Sequence, residues 1–322
     1  MEYIELGKSD LKVSRIGLGG LQFGTQGYGI DDKAMMKRII NHAIDNGVNF
    51  IDTAEVYAYG GSERIIGETI EERGDREDIV IATKVYPENL RYRDVLKAAS
   101  ASQKRLRTEV IDLYQIHHPN CTIPLSETMK ALDELLEAGK VRYVGVSNFG
   151  SSLTQQAMDL LKNGDIVSNQ MEYSLIVRDI EREVLPFLRG VGIATIAYSP
   201  LTMGLLTGKY DEETELPKED RRARLPLFSR KSNLKQLAPL IGAMREVAEA
   251  HDATIAQVAL NWLLRFDDVF PIPGAKTPEQ VQSNVGAAKW RMSDDEWRKL
   301  TEASNGLDLD FFFDFDSISG SS

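Results

Sequence analysis

Several predicted strands of this 322-residue chain end on polar side chains. Together they supply a carboxylate, an ammonium, an imidazole, a phenol and amides, the groups that proteins use for proton transfer and directed hydrogen bonding. Any single one is explained equally well by a solvated or helix-capping role. Several polar ends on one edge of a sheet would each carry a desolvation cost unless paired, so their convergence predicts a functional site. In chain order these residues are Asp52, Lys84, His117, Ser147, Asn148, Gln170, Tyr198 and Ser199.

The common phosphate and metal motifs are incomplete in this sequence. The glycines at 17 and 19 are followed by Gln22 where a Rossmann dinucleotide fingerprint needs a third glycine. The Gly-Lys pair at 208–209 is followed by Tyr210, so it is not a P-loop. His117 and His118 are adjacent, and on a strand they would point to opposite faces, so no metal site is expected.

The elements that must position these side chains alternate between short apolar runs and amphipathic segments. Among the seven runs from 48–52 onward, successive starts lie 24 to 32 residues apart, which is the spacing of βαβ units. One interval is longer, at 77 residues. Eight parallel strands alternating with helices favour a closed (β/α)₈ barrel, a TIM barrel of the α/β class, over an open sheet. Segments 3–6 and 11–13 predict an N-terminal β-hairpin. The runs are 13–20, 48–52, 78–84, 110–117, 141–148, 165–170, 192–199 and 269–274.

One connection is longer than the others. Residues 201–233, which follow the seventh predicted barrel strand, contain two prolines and a dense run of mixed charges at 218–224. A connection of this length without clear periodicity is typical of a lid or a binding loop. It would lie at the face where barrel enzymes hold their active sites.

Composition restricts the possible partners. There are 38 Lys and Arg residues against 49 Asp and Glu, which gives a net charge of −11. An acidic surface repels phosphate backbones and anionic lipids, so neither nucleic acid nor a membrane is an expected partner. No apolar run approaches the ~20 residues of a membrane span, and six charges in the first 20 residues exclude a signal peptide. With one cysteine, Cys121, the sequence predicts a cytoplasmic protein without an internal disulfide, folded as a single domain over 1–322.

Five motifs in a fixed order resemble the aldo-keto reductase superfamily. Segment 47–57 (GVNFIDTAEVY) sets Asp52 and Tyr57 five residues apart, and segments 82–84 (ATK), 112–117 (DLYQIH), 145–148 (GVSN) and 272–277 (IPGAKT) follow. The resemblance covers about residues 6–284. It implies a (β/α)₈ barrel that binds NADPH across its rim without a Rossmann fold, in agreement with the incomplete glycine fingerprint.

The resemblance makes Tyr57 the general acid of a carbonyl reduction, with Asp52, Lys84 and His117 around it. A phenol of pKa ~10 is a reluctant proton donor at pH 7, and an ammonium beside it would lower that pKa. On this interpretation Asp52 holds Lys84 charged, and His117 orients the substrate carbonyl. For Asp52 with Lys84, a plain salt bridge at the barrel rim is the alternative.

For the cofactor, the resemblance implies that Ser147, Asn148 and Gln170 bind the nicotinamide carboxamide and that Tyr198 stacks under the ring. Lys209 and the run 199–204 would hold the pyrophosphate, and Arg222 in the long loop would be a second clamp, with a solvated charge run as its alternative. The whole implied cofactor set is Gly20, Leu21, Asp52, Ser147, Asn148, Gln170, Tyr198, Ser199, Pro200, Leu201, Thr202, Met203, Gly204, Lys209, Arg222, Gly274, Lys276, Thr277, Gln280 and Asn284.

The adenosine end can also be argued from the residues themselves. Thr277 is a helix-capping residue, Pro278 suits the first helical position, and Gln280 completes a capping box. A helix N-terminus beside Lys276 is an anion site, which the resemblance assigns to the 2′-phosphate of NADPH. Gln280 and Ser283 depart from the arginine and glutamate common in the family, so NADPH is favoured and NADH stays possible.

Two functions remain open at this point. The first is an oxidoreductase for aldehydes or ketones, and the second is a cofactor-binding regulatory subunit of the same fold; the presence of His117 favours catalysis. The substrate, a small carbonyl compound or alcohol, and the oligomeric state are not specified, and an aromatic pocket is expected from Leu21, Phe23, Tyr28, Tyr86, His118 and Phe149. The acidic, Phe-rich tail at 305–322 predicts a segment that is either frayed or folded over the rim or a neighbouring subunit.

Overall fold

The computed structural model describes residues 1–24 and 29–310. The strands are β1 Tyr3–Glu5, β2 Lys12–Ser14, β3 Leu18–Gly19, β4 Phe50–Asp52, β5 Val80–Val85, β6 Ile111–Ile116, β7 Val141–Ser147, β8 Ile166–Glu172, β9 Ala194–Tyr198 and β10 Val269–Pro271. The helices are α1 Lys33–Asp45, α2 Gly61–Arg73, α3 Tyr92–Leu106, α4 Leu125–Glu137, α5 Ser151–Leu160, α6 Val184–Val191, α7 Pro226–Ser229, α8 Lys231–Ala250, α9 Ile255–Leu263, α10 Pro278–Gly286 and α11 Asp294–Ser304.

The predicted (β/α)₈ barrel is confirmed. Strands β3 to β10 form one parallel sheet in sequence order. Backbone hydrogen bonds from Gly17 to Pro271 (3.0 Å) and from Gly19 to Pro273 (3.1 Å) join the first strand to the last and close the sheet. The carboxyl ends of all eight strands therefore meet at one rim, where the polar strand ends were expected to converge.

The hairpin is present, but the first predicted barrel strand is not continuous. Residues 13–20 divide between β2, which pairs antiparallel with β1, and the two-residue strand β3. The break has a local cause, because the Ser14 hydroxyl donates to the carbonyl of Ile16 and the Ser14 amide donates to the Asn49 side chain. Leu6 and Val13 of the hairpin segment then pack against residues of the barrel interior, so the hairpin covers the amino-terminal end of the barrel.

The helices form the outer layer, and their apolar faces cover the sheet. In α1 the side chains of Met36, Ile39, Ile40 and Ala43 are buried, and their i, i+3, i+4, i+7 spacing places them on one face of the helix. They belong to a core cluster with residues of β4, β5 and α2. Full burial of one such aliphatic side chain contributes about 1.5–3 kcal/mol, so these faces fix the strands whose ends carry the polar side chains.

The long connection after β9 has local order. It contains 3₁₀ turns at Thr202–Thr207 and Arg221–Arg224 and the short helix α7, and it is anchored by the buried side chains of Leu225, Leu227 and Phe228. After α11 the described chain runs to Asp310, so the four phenylalanines of the predicted tail lie outside the described residues, as does Tyr28. No helix in residues 1–24 or 29–310 is long and apolar enough to cross a bilayer.

Candidate active site and cofactor groove

The carboxyl end of the barrel opens into a cavity of about 1520 Å³. Its floor carries Asp52, Tyr57 and His117, and its wall continues along the connection after β9 to the amino end of α10. The side chains that end the strands do converge here, because eight parallel strands present their carboxyl ends to the same space.

Asp52 and Lys84 form a fully buried ion pair beneath this floor. The Lys84 ammonium, which has no exposed surface, donates to Asp52 Oδ1 at 2.5 Å and to the carbonyl of Thr53 at 2.8 Å. Burial alone would lower the pKa of Lys84, but attraction to Asp52 and Tyr57 outweighs burial and raises it. Lys84 is therefore a fixed positive charge under the cavity.

Tyr57 lies five residues after the end of β4, where it begins a tight 3₁₀ turn with its ring over Lys84. The next two residues, Ala58 and Tyr59, have φ of +50° and +52°, the left-handed region that ordinary residues avoid. The Lys84 nitrogen is 5.1 Å from the centre of the Tyr57 ring. The strain of the turn thus holds the phenol above the buried ammonium.

Lys84 lowers the pKa of Tyr57 as expected, but burial of the phenol outweighs this effect. Burial raises the pKa of Tyr57, the charge of Lys84 lowers it, and the charge of Asp52 raises it again, so that the net pKa stays above the ordinary value. Lys84 still favours the tyrosinate, and it offsets part of the cost of burial. At pH 7 the phenol is a neutral hydroxyl that can donate a hydrogen bond.

His117 is neutral at the cavity floor. Burial, the charge of Lys84 and the neighbouring His118 lower the pKa of His117 to about 3. Its Nδ1 is buried and has no hydrogen-bond partner among the described residues. The two histidine rings stack with centroids 5.1 Å apart, so the prediction that they face opposite sides is wrong: β6 ends at Ile116, before either of them.

Hydrogen bonds hold the side chains of Asn148, Ser147, Tyr198 and Gln170 in place at the cavity floor. Asn148 has φ of +61°, and its amide donates to the carbonyl of His117 at 3.2 Å and to the Ser147 hydroxyl at 3.0 Å. The Tyr198 hydroxyl donates to Asn148 Oδ1 at 3.0 Å. The Gln170 amide donates to Asp52 Oδ2 at 2.8 Å. These contacts fix the orientation of every group predicted to face a nicotinamide.

The segment after β9 has a strained backbone and lines the cavity. Four of the six residues at 199–204 have positive φ, with values of +50° at Ser199, +46° at Thr202, +52° at Met203 and +96° at Gly204. Within the segment, the Thr202 amide donates to the carbonyl of Ser199 at 2.8 Å and the Gly204 amide donates to the carbonyl of Leu201 at 2.9 Å, so the chain folds into a tight turn along the cavity wall. Non-glycine residues in this region are strained, and strain of this kind is concentrated at ligand sites.

The outer wall of the cavity is basic although the chain is acidic. Among the described residues, six Lys and Arg side chains line the cavity against three carboxylates. Arg222 is held in place by Asp220, which accepts from it at 2.6 Å, by the carbonyl of Met203 at 2.9 Å and by the Tyr210 hydroxyl at 2.8 Å. Arg222 is therefore not part of a solvated charge run. The six cations are Lys209, Arg221, Arg222, Arg224, Arg230 and Lys276.

Lys276 lies beside the amino end of α10. Burial and then the charge of Arg222 lower the pKa of Lys276, which places the two cations within electrostatic range of each other. The Thr277 hydroxyl caps the helix by accepting from the Gln280 amide, as predicted. The capping box is incomplete, because the Gln280 side chain accepts from the Lys276 backbone instead of from Thr277. This corner combines two positive charges with a helix N-terminus.

Most of the predicted site residues line the cavity, and three do not. Lys84 is buried below the floor; Thr202 is buried and donates to Ser174; Thr277 is used as the cap. The lining predicted residues are Gly20, Leu21, Asp52, Tyr57, His117, Ser147, Asn148, Gln170, Tyr198, Ser199, Pro200, Leu201, Met203, Gly204, Lys209, Arg222, Gly274, Lys276, Gln280 and Asn284.

The expected aromatic pocket is only partly present. Leu21 and His118 line the cavity, and Tyr86 lies edge-on to His117 at 6.4 Å. Phe23 and Phe149 are completely buried in the core, so their assignment to the pocket is wrong. Hydrophobicity alone does not separate a pocket wall from a core position.

Gln115 is the residue that the sequence analysis missed. It is completely buried on β6 and donates to Asp52 Oδ2 at 3.1 Å. The signal was an amide inside an apolar strand, two residues before His117, where a buried layer of the barrel favours Val, Ile or Leu. No group of three or more His, Cys, Asp or Glu residues in the described part of the chain could hold a metal ion.

Comparisons with known proteins agree with this geometry. A model described as the aldo/keto reductase family matches residues 15–305. An uncharacterised oxidoreductase of Mycobacterium tuberculosis is 39% identical over 299 residues, 92% of this chain and 91% of that protein. The Schizosaccharomyces pombe aldo-keto reductase yakc, whose name specifies NADP(+), is 31% identical over 316 residues, 92% of each chain. The glycerol dehydrogenase structure from Gluconobacter oxydans matches with a TM-score of 0.85 and 30% identity, covering 97% of this chain and 99% of that one.

Proposed function

The chain belongs to the aldo/keto reductase family, and on that premise we propose that it is an NADPH-dependent oxidoreductase that reduces aldehydes or ketones to alcohols. Tyr57 is the general acid in this proposal. The observation that carries it is the buried Lys84 ammonium, clamped by Asp52 at 2.5 Å and lying 5.1 Å below the Tyr57 ring at the cavity floor. A plain rim salt bridge would not need a tyrosine held above it by a strained turn.

The residues of the cavity suit nicotinamide adenine dinucleotide phosphate. The near end offers the hydroxyl and amides of Ser147, Asn148 and Gln170, which suit a carboxamide. The middle offers the Lys209 ammonium beside the strained turn at 199–204, and a cation there suits a pyrophosphate. The far end offers Lys276 beside a helix N-terminus, which suits a phosphate. The relative from S. pombe whose name specifies NADP(+) supports the same choice.

The chain's own residues then transfer one proton to the substrate. When bound, the cofactor supplies a hydride to the carbonyl carbon. Tyr57 donates its hydroxyl hydrogen toward the carbonyl oxygen, and the developing tyrosinate is stabilised by the Lys84 ammonium. His117, neutral at pH 7, contributes a hydrogen bond from its ring to the same oxygen and so orients the substrate.

Replacing Tyr57 tests this assignment. Tyr57→Phe removes the donated proton and keeps the ring, so carbonyl reduction should fall by about 10²- to 10⁴-fold while NADPH affinity is nearly unchanged. NADPH consumption at 340 nm over a panel of aldehydes and ketones measures the first quantity, and fluorescence titration measures the second. Tyr59→Phe is the matched control, since Tyr59 lies in the same turn with 93% of its surface exposed.

Three outcomes have different meanings. Retention of more than a tenth of wild-type turnover in Tyr57→Phe would contradict the role of Tyr57. An equal loss in the Tyr59 control would indicate damage to the turn instead of loss of an acid. A wild-type protein that binds NADPH and reduces no member of the panel would favour the regulatory-subunit hypothesis.

A further inference from the structure

A second buried polar group lies beside the Asp52–Lys84 pair. Gln115 on β6 is opposite Lys84 in the strand register and is completely buried. Its amide nitrogen donates to Asp52 Oδ2 at 3.1 Å, and its amide oxygen accepts from the Gln170 nitrogen at 3.3 Å. The Gln170 nitrogen also donates to Asp52 Oδ2 at 2.8 Å. The three side chains close a triangle that joins strands β4, β6 and β8 across the barrel interior.

The triangle determines what Gln170 can offer to a ligand. A primary amide has two N–H donors and one acceptor oxygen. Asp52 and Gln115 take the two donors of Gln170, so only its carbonyl oxygen is left for the cavity that Gln170 lines. Without the Gln115 acceptor, Gln170 would keep its hydrogen bond to Asp52, but its second N–H donor would be released and the amide could rotate toward the cavity. Amide orientation at this position is therefore set by Asp52 together with Gln115, which does not line the cavity.

The barrel makes room for Gln115 at one point. Gly145 on β7 is its register partner, and a Cβ atom there would come within 3.0 Å of Gln115 Cγ and 2.5 Å of Ser168 Oγ. Any other residue at 145 would therefore overlap the Ser168 hydroxyl and press against the Gln115 side chain. The glycine of the 145–148 motif has a packing role at this point.

We propose that Gln115 is a positioning residue that couples the cofactor groove to the acid–base pair. Through its oxygen it fixes, with Asp52, the amide orientation of Gln170 toward the cofactor, and through its nitrogen it donates to the Asp52 carboxylate that accepts from Lys84. The inference rests on the proposed NADPH-dependent reduction. It adds that one buried amide serves both halves of the site, with a different atom for each.

Two substitutions separate the role of the Gln115 amide oxygen from that of its amide nitrogen. Gln115→Leu has a similar shape and removes both the donor and the acceptor. Gln115→Glu keeps an oxygen that accepts from Gln170, and it donates to Asp52 only while its carboxyl is protonated. Hydrogen bonding to the cofactor and support of Asp52 should therefore be lost together in the first variant, whereas the second should lose only the support of Asp52, and only once its carboxyl ionises.

Several titratable groups lie around the Asp52–Gln115–Gln170 triangle, and their charges affect how the activity of the variants depends on pH. Lys84 faces it from β5, Tyr57 from the turn after β4, and His117 from the end of β6. His118 interacts with His117, and Tyr198 with Tyr57. Once ionised, the carboxyl introduced by Gln115→Glu would add a negative charge beside Asp52. That charge further disfavours the tyrosinate form of Tyr57 and makes Tyr57 a weaker acid.

Cofactor binding is the first readout. Titration of the full-length variants with NADPH should give a dissociation constant about two- to tenfold higher for Gln115→Leu, the effect of one lost hydrogen bond, and near wild type for Gln115→Glu. Thr195→Val is the matched control, because Thr195 is also buried in the barrel and its hydroxyl has no partner among the described residues. That control should bind NADPH as the wild type does.

The pH profile of turnover is the second readout. Burial beside the Asp52 carboxylate should raise the pKa of the introduced carboxyl well above its ordinary value of about 4.3. The ratio of kcat for Gln115→Glu to wild type should then be near one at pH 5 and fall by about tenfold or more by pH 8, as that carboxyl ionises. For Gln115→Leu the ratio should be low and independent of pH, and KM for the carbonyl at saturating NADPH should be unchanged. A purely structural role for Gln115 would not produce different pH behaviour in the two variants.

The outcomes distinguish this inference from the proposed function. Equal NADPH affinity for Gln115→Leu and wild type, or a Gln115→Glu ratio that does not change with pH, would overturn the inference. A wild type that reduces no carbonyl would overturn the proposed function, and the binding titrations would still decide the role of Gln115. Circular dichroism at each pH ensures that every variant compared is folded.

Discussion

Replacing Lys84 by methionine should separate the charge under the cavity from the shape of the site. With the Lys84 nitrogen 5.1 Å from the centre of the Tyr57 ring, an effective dielectric of about 20 gives an interaction of about 3 kcal/mol with a tyrosinate. That corresponds to about two pKa units. Burial already raises the pKa of Tyr57, and removal of Lys84 should raise it further. The phenol becomes a weaker acid, and kcat for carbonyl reduction should fall about 10²-fold.

The same substitution has a cost in stability that must be measured apart from catalysis. It leaves the Asp52 carboxylate buried with Gln115 and Gln170 as its remaining donors, and the loss of one partner of a buried pair costs about 3–5 kcal/mol. Arg15→Met is the matched control. Arg15 is a buried cation paired with Asp267 at 3.0 Å near the amino-terminal end of the barrel, far along the strands from the cavity.

Urea denaturation and steady-state kinetics together test the reasoning. Both variants should lose free energy of unfolding, but only Lys84→Met should lose kcat, and NADPH affinity should stay close to wild type because Lys84 does not line the cavity. If folded Lys84→Met keeps more than a tenth of wild-type kcat at pH 7, the charge of Lys84 does not assist proton transfer. If Arg15→Met loses kcat equally, the effect belongs to global stability.

Three further predictions use other parts of the site. The pKa of His117 in the folded state is about 3, below its unfolded value, so the unfolded chain takes up the proton first as the pH falls. The free energy of unfolding should therefore decrease as the pH is lowered from ~6.5, and urea denaturation should show a smaller decrease for His117→Asn. Lys276→Ala should weaken NADPH binding roughly 10- to 150-fold in a fluorescence titration and leave NADH nearly unaffected, whereas equal losses would show that Lys276 does not bind the 2′-phosphate. Gly145→Ala should lower the free energy of unfolding by about 1–3 kcal/mol, because its Cβ would overlap Ser168, while Gly242→Ala in open space within α8 should not destabilise the protein.

The strand ends were predictable because parallel strands leave a simple trace in the sequence. Asp52, Lys84, His117 and Gln170 each close an apolar run, and a closed barrel brings such ends together whatever the details of packing. The cap at Thr277 was predictable for a similar reason, since it depends on neighbours three residues away. These predictions succeeded because they depend on helix-capping patterns within a few residues and on the parallel arrangement of the barrel strands.

What could not be predicted depends on distances between remote segments. The net pKa of Tyr57 is a balance between burial and two opposite charges, and only the three-dimensional structure gives their relative size. The contacts of Gln115 require the register of β5 against β6 and the position of β8 across the barrel. The break between β2 and β3 follows from a side chain at Asn49, 35 residues away from Ser14.

The closure of the barrel has a consequence for the order in which the protein is made. The groove crosses the junction between the first and last strands, with Gly20 on one side and Gly274 on the other, so the part of its wall that follows β10 is absent until the ribosome has delivered those residues. A nascent chain lacking that last strand has the floor residues but no complete groove. A dinucleotide that spans the junction would bind only the closed form, so it would act as a late check on folding and would raise the apparent stability by mass action. Limited proteolysis of chains truncated before β10, with and without NADPH, would detect this dependence.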